Sequence, residues 1–286
     1  MKRFRIVHTT EYRFEEEAFN FDLLGRLRPR DEAGQQCEYF QIVSRPPGNL
    51  LALPLDTFGN HGHRLQINCH LQRLHISAIS TVLRVDTRLV SPLRAQGAPT
   101  EDSQVSSADL SPYLQATRLI PLSASIDAYA SQIFDRNQSI HAQAAALCRR
   151  IHVDLTFRAG VTHDQTNAEE VLALRQGVCQ DYTHLALACM RSLGWAARYV
   201  SGYVHSAAFR GKDHRIAADA SHAWLEVYDP HCGWLGLDPT NNRLTDGHYI
   251  VVARGRDYND VCPLQGTFEG GCGHHLKVSV DVQQLP

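Results

Sequence analysis

No run of 18 or more apolar residues, the length a membrane-spanning helix needs, occurs in this 286-residue chain. Its start, Met1-Lys2-Arg3-Phe4, passes straight into a strand-like pattern without a secretory apolar region, and a cytoplasmic location is the expectation. Charge of one sign is missing too. Lys and Arg number 28 against 30 Asp and Glu, for a formal net charge of −2. No basic run stands out, so neither nucleic acid nor a membrane surface is an expected partner. There are 16 histidines, but paired Cys-x-x-Cys and His-Glu-x-x-His spacings are absent. His61-Gly62-His63, His274-His275 and Cys262 with Cys272 come nearest to a ligand set. Without ligand spacing, no metal and no cofactor is expected. The glycine-rich Gly270-Gly271-Cys272-Gly273 is followed by no helical pattern, which leaves it without a phosphate-binding context. Eight cysteines, at 37, 69, 148, 179, 189, 232, 262 and 272, follow no short-chain disulfide spacing and read mostly as reduced thiols. No internal repeat is visible.

What remains is an ordinary globular composition, 43% hydrophobic and 20% charged, in a chain long enough for two compact units. Short alternating runs such as Leu65-Gln66-Ile67-Asn68-Cys69 and Leu74-His75-Ile76-Ser77-Ala78, set between Gly, Pro and Asn, predict an antiparallel β-sandwich over residues 1–90. Residues 91–122, rich in Ser, Pro and Ala, read as a connector. Helical spacing follows over Ser125 to Arg136 and Ser139 to Ile151, opening a second unit at 123–286. The fold class expected is α+β.

In that second unit, Gly177 and Val178 precede Cys179, and Leu185, Ala186, Ala188, Cys189, Met190 and Leu193 lead to Gly194. This predicts a largely buried helix that opens at Cys179 and stops at Gly194. Unpaired N–H groups and the macrodipole of a first helical turn favour a thiolate there. A Cys in that place also reads as a small buried hydrophobe. Ala220 to Tyr228 is strand-like, Asp229-Pro230-His231-Cys232-Gly233 a turn, and Trp234 to Asp238 a returning strand. A hairpin centred on residue 230 sets His222 directly opposite Asp238, near enough for the carboxylate to fix the imidazole tautomer. Taken singly, His222 reads as a satisfied sheet histidine and Asp238 as the first residue of a turn. Taken together, Cys179, His222 and Asp238 read as nucleophile, base and orienter.

Gly177-Val178-Cys179-Gln180-Asp181, Ala197 to Tyr203, Ser221-His222-Ala223-Trp224, Asp238-Pro239-Thr240-Asn241, His248 to Ala253 and Gly255 to Val261 resemble the bacterial transglutaminase-like cysteine peptidase family. The resemblance is strong over about residues 120 to 286. Phe4 to Phe14 and Asp56-Thr57-Phe58-Gly59-Asn60 are similar to the β-rich N-terminal region that accompanies this domain in bacteria. The resemblance implies a papain-like or transglutaminase-like domain of helices packed on an antiparallel sheet, acting on a peptide or protein. It also makes Gln180, Asp181 and Trp224 substrate-binding or site-shaping positions, with helix capping as the alternative at 180 and 181. Animal transglutaminases use a Trp upstream of the nucleophile to meet the oxyanion. Here Trp195, Trp224 and Trp234 all lie downstream, and that role does not transfer. The expected activity is hydrolysis of peptide or isopeptide bonds through an acyl-enzyme, with the Cys179 N–H in part of the oxyanion hole. Acyl transfer to an amine is the alternative, and a non-enzymatic protein-binding module that kept the fold is a third reading. Oligomeric state is not legible.

Overall fold

The computed structural model describes residues 1–85, 106–135, 137–205 and 221–286. In chain order its elements are β1 (Lys2–Gly25), β2 (Gln35–Arg45), β3 (Asn49–Ala52), β4 (His63–Ile67), β5 (Leu71–Arg84), α1 (Ser107–Leu110), α2 (Ala124–Ser131), α3 (Ile140–Asp154), β6 (Thr156–Phe157), α4 (Ala168–Leu174), β7 (Gln176–Gly177), α5 (Cys179–Ser192), β8 (Ala197–Val204), β9 (His222–Asp229), β10 (Gly233–Asp238), β11 (Arg243–Leu244), β12 (Tyr249–Gly255), α6 (Tyr258–Val261), β13 (Leu264–Gly270) and β14 (His274–Leu285). No helix among the described residues is long and apolar enough to cross a membrane.

The N-terminal sheet has seven strands on the path β2-β5-β1-β4-β3, with β13 and β14 also paired to β1. The first half of β1 runs between β5 and β14, the second between β4 and β13, and the register with β5 breaks between Arg13 and Ala18. Phe14, Leu74 and Ile76 from one half share a buried cluster with Phe21, Leu23, Leu65 and Ile67 from the other. Both layers of the expected sandwich are thus one continuous antiparallel sheet folded over its apolar face.

Two boundaries differ from the sequence reading. The end of the chain, assigned there to the second unit, returns to the first: β14 pairs with β1 from Arg3 to Phe14. The free edge of a long β1 needs a partner, and the alternating C-terminal strands supply one. The expected connector is partly core. Its stretch 91–105 lies outside the described residues, but Leu119 and Ile120 are fully buried among the helices of the second unit. The first expected helix stops at Ser131, and its Arg136 lies outside the described residues. Just beyond, the Asp135 carboxylate accepts from the Asn137 N–H at 2.9 Å, a local side-chain bond that competes with helix. Ser139 caps α3 instead of belonging to it.

The second unit is built on a five-stranded antiparallel sheet in the order β11-β10-β9-β8-β12. Helix α5 is buried from Asp181 to Arg191 and shares one core with Ala223, Leu225 and Val227 of β9. Gly194, with φ of +77°, ends it in the left-handed conformation glycine tolerates. Phe4, Ile6, Val82 and Val280 from the N-terminal sheet pack on Tyr203, Ile250 and Val252 of the second. At about 1.5–3 kcal/mol for each fully buried large side chain, that seam outweighs any single polar contact across it.

Candidate active site

Cys179 is the first residue of α5, half-buried, with Val178 extended as the preceding cap. Valine offers no acceptor to the free N–H groups of the first turn, so another side chain serves. The Asp181 carboxylate accepts from the Val178 N–H at 2.6 Å and from the Thr162 hydroxyl at 2.7 Å. Burial raises its pKa in spite of those donors. Gly177 matters here for closeness. A Cβ on it would lie 2.5 Å from Asp181 Oδ2 and 2.6 Å from Asp181 Cβ, so only glycine lets the carboxylate fold back beneath the turn that presents the thiol. Gln180 points elsewhere and donates to the Asp164 carbonyl at 3.1 Å.

His222 opens β9 opposite Gly202. Its Nε2 lies 2.7 Å from Asp238 Oδ2, and the Cys179 thiol is near enough to add to the rise in the imidazole pKa. With Nε2 committed to the carboxylate, Nδ1 is the nitrogen left to face sulfur. The hairpin register differs from the sequence reading. Asp229 pairs with Gly233, so the turn centres on residue 231. The Asp229 carbonyl accepts from the Cys232 N–H at 3.2 Å and Gly233 takes a φ of +75°, closing a three-residue connection. Asp238 therefore falls beside Trp224 and diagonal to His222. Parity is kept, and both side chains stay on one side of the hairpin.

Asp238 is fully buried. Its Oδ2 accepts from His222 Nε2 at 2.7 Å, Tyr249 Oη at 2.8 Å and Asn241 Nδ2 at 2.8 Å, and Oδ1 accepts from the Asn241 N–H at 3.1 Å. Burial by itself raises the carboxyl pKa, but the His222 imidazole, Asn241 and Tyr249 outweigh it and hold the group ionised below the usual carboxylate range. Burial likewise lowers the pKa of His222, and the Asp238 charge, then the Cys179 thiol, overcome it and push it up to about 10. At neutral pH the arrangement is an imidazolium set between a carboxylate and a thiol.

Of the six residues singled out by sequence, the structure brings Cys179, His222 and Asp238 together. Asp181 supports the Cys179 turn, Gln180 does not reach the group, and Trp224 lies behind it. Trp224 is 1% exposed, 6.2 Å from the His222 ring and edge-on to Tyr249 at 5.2 Å. Gly202 admits it: a Cβ there would meet the indole at 2.5 Å. On the far side of Trp224 and Tyr249 a cavity of about 1580 Å³ opens between the two sheets. Its central charges compensate one another. Arg254 bridges Glu226 and Glu32, and Arg198 holds Glu226 at 2.6 Å while lying 3.9 Å over the Trp234 ring.

Sequence reasoning missed Asn241 and Tyr249. Asn241 carries a local signal, since Asp followed three residues later by a backbone donor is a turn pattern. Tyr249 carries none, because it reaches Asp238 from β12, three steps away in the sheet order.

A family profile described as the transglutaminase-like superfamily matches residues 127–239, and one described as the bacterial transglutaminase-like N-terminal region matches residues 4–83. An uncharacterized protein of Mycobacterium tuberculosis is 35% identical over 296 residues, covering 98% of this chain and 92% of its own length. A protein-glutamine gamma-glutamyltransferase of Pseudomonas aeruginosa is 28% identical over 147 residues, covering 47% of this chain and 22% of its own. Among solved structures, a candidate cysteine protease from Cytophaga hutchinsonii superposes with a TM-score of 0.76 at 21% identity, over 100% of this chain and 91% of that one. The last likeness is one of fold.

Proposed function

The chain belongs to the transglutaminase-like superfamily, and from that premise we propose that it is a cysteine-dependent hydrolase of peptide or isopeptide bonds working through an acyl-enzyme on Cys179, His222 and Asp238. One observation carries the reading: a buried His222–Asp238 pair, 2.7 Å apart, has as its neighbour the thiol of a cysteine at the start of a helix. The Cys179 thiolate attacks the substrate carbonyl, and the oxyanion is met in part by the Cys179 N–H. His222 passes its proton to the leaving amine, the C–N bond breaks, and a thioester remains. Water, deprotonated by His222, attacks the thioester; the C–S bond breaks, carboxylic acid leaves, and the thiolate and protonated His222 are restored. Asp238 keeps the imidazole ring oriented and its charge compensated throughout.

Hydrolysis leads over transfer because transfer to an amine requires water to be kept from the acyl-enzyme, and Cys179 is only half-buried. The large cavity between the sheets is lined by Trp224 and Tyr249 rather than by Cys179. The likeness to a gamma-glutamyltransferase favours acyl transfer as the second reading. Turnover of a peptide and isopeptide library, with and without an added primary amine, tests both. Free acid is the expected product in both arms, and an amine adduct that predominates once amine is added reverses the order. Absence of turnover together with an unreactive Cys179 at mildly acidic pH leaves the non-enzymatic binding module.

A further inference from the structure

Resting on that triad, we infer that Tyr249 is a positioning residue for Asp238, and that the N-terminal sheet holds it in place through Gln35. Asn241, three residues past Asp238, ties the carboxylate to its own strand end. Tyr249 ties it to the opposite edge of the sheet, for β12 and β10 are separated by β8 and β9. The phenol oxygen lies 2.8 Å from the same Oδ2 that receives His222. The ring is 1% exposed and rests edge-on against Trp224, so it has no second rotamer to move into. A phenol so fixed sets the carboxylate plane, and with it the line along which His222 Nε2 is held.

Strand β12 is itself the edge of the five-stranded sheet, with its register to β8 interrupted between Val251 and Ala253. The Gln35 amide completes that edge. Its Nε2 donates to the Val251 carbonyl at 2.8 Å and its Oε1 accepts from the Val251 N–H at 2.8 Å, the pair of bonds another strand would make. The Arg30 N–H adds a bond to the same carbonyl at 3.1 Å. Val251 is two residues from Tyr249, and Gln35 is 3% exposed. The N-terminal sheet thereby contributes to the geometry of a site to which it lends no reacting atom.

Among the described residues, the charged and titratable groups around the site are Cys179 and Cys148 on the helices, Arg243 and Asp246 beside Tyr249, and Tyr199 and Tyr258 beside Cys179. The test reads the site without a known substrate. The rate of iodoacetamide alkylation at Cys179 is followed by peptide mass spectrometry from pH 5 to 9, with exposed Cys69 as the ordinary thiol, in full-length wild type, Asp238→Asn, Tyr249→Phe and Gln35→Met. Wild-type Cys179 is expected to keep reacting at pH 6, where Cys69 is slow. Tyr249→Phe, which keeps the ring, is expected to lower the pH 6 rate about tenfold, the effect of one lost hydrogen bond to a charged group. Its midpoint moves toward that of Cys69. Gln35→Met is expected to move the profile in the same direction by about two- to fivefold, because it loosens the strand and leaves the phenol. A merely structural role lowers the melting temperature and leaves the profile in place. If Asp238→Asn slows Cys179 while Tyr249→Phe keeps the wild-type profile, the Tyr249 assignment is overturned and the triad stands. If wild-type Cys179 is no faster than Cys69 at pH 6, the triad reading itself fails. Should Tyr249→Phe not fold, a wild-type profile in Gln35→Met overturns the coupling.

Discussion

Replacing Asp238 by Asn exchanges one oxygen for an NH2 group in a fully buried position and tests charge and geometry together. The charge effect follows from His222. Its pKa is raised to about 10 from an ordinary 6.5, with Asp238 the foremost raising influence. Without the carboxylate, burial is opposed only by the Cys179 thiol, so the imidazole pKa falls and the imidazolium loses occupancy at neutral pH. The geometric effect is as large. If the amide oxygen stays at Oδ2 to accept from His222, Tyr249 and Asn241, its NH2 faces the Asn241 N–H, donor against donor. If the amide turns over, His222 must accept at Nε2 and carry its proton on Nδ1, the wrong tautomer for a base toward sulfur. Turnover is expected to fall about 10²- to 10⁴-fold, with KM little changed because Asp238 is buried from any substrate. The stability difference has its own pH window. The raised His222 contributes stability fully below 6.5, lost as pH rises through about 10, and the depressed Asp238 contributes above 3.8, lost as pH falls through its lower folded value. Melting temperatures of wild type and variant are therefore expected to differ most between about pH 4 and 6.5 and to converge toward pH 10. Steady-state kinetics on a substrate that Cys179 processes, with melts across pH, decide the matter. Wild-type kcat with an unchanged pH profile in Asp238→Asn refutes the reasoning.

Cys179→Ala is expected to abolish turnover while leaving the melting temperature near wild type. Cys189→Ser is expected to do the reverse, since Cys189 is fully buried with its thiol pushed up to about 12; a poorly paired hydroxyl there costs about 1–3 kcal/mol, measured by urea denaturation with kcat unchanged. Gly177→Ala places a Cβ 2.5 Å from Asp181 Oδ2, which displaces the cap at a cost of about 1–2 kcal/mol and slows Cys179 alkylation; an equal rate counts against the role given to that turn. Glu226→Gln leaves Arg198 and Arg254 side by side without their shared carboxylate. A loss of about 3–5 kcal/mol is expected, read as a lowered denaturation midpoint, and a midpoint equal to wild type contradicts it.

The site's local frame was legible and its long-range supports were not, for a physical reason that individual residues make plain. The start of α5 at Cys179 could be read because a glycine before it and an apolar run after it act over one or two turns. The hairpin could be read because alternation survives a register error of two residues. Centring the turn on 231 rather than 230 moved every partner yet kept His222 and Asp238 on one side, whereas an error of one would have separated them. Pairing between chain ends leaves no such trace: nothing in His274 to Leu285 announces that its partner is β1. Gln35 misleads more directly. A polar residue at the start of an alternating strand reads as solvent-facing, and it is buried only because β12, 216 residues away, presents an edge with a free N–H and carbonyl. The satisfaction of buried backbone groups is a demand that only the folded chain poses, which is why the residues that meet it, Gln35 for a strand edge and Asp181 for a helix start, reveal themselves by whose hydrogen bonds they complete.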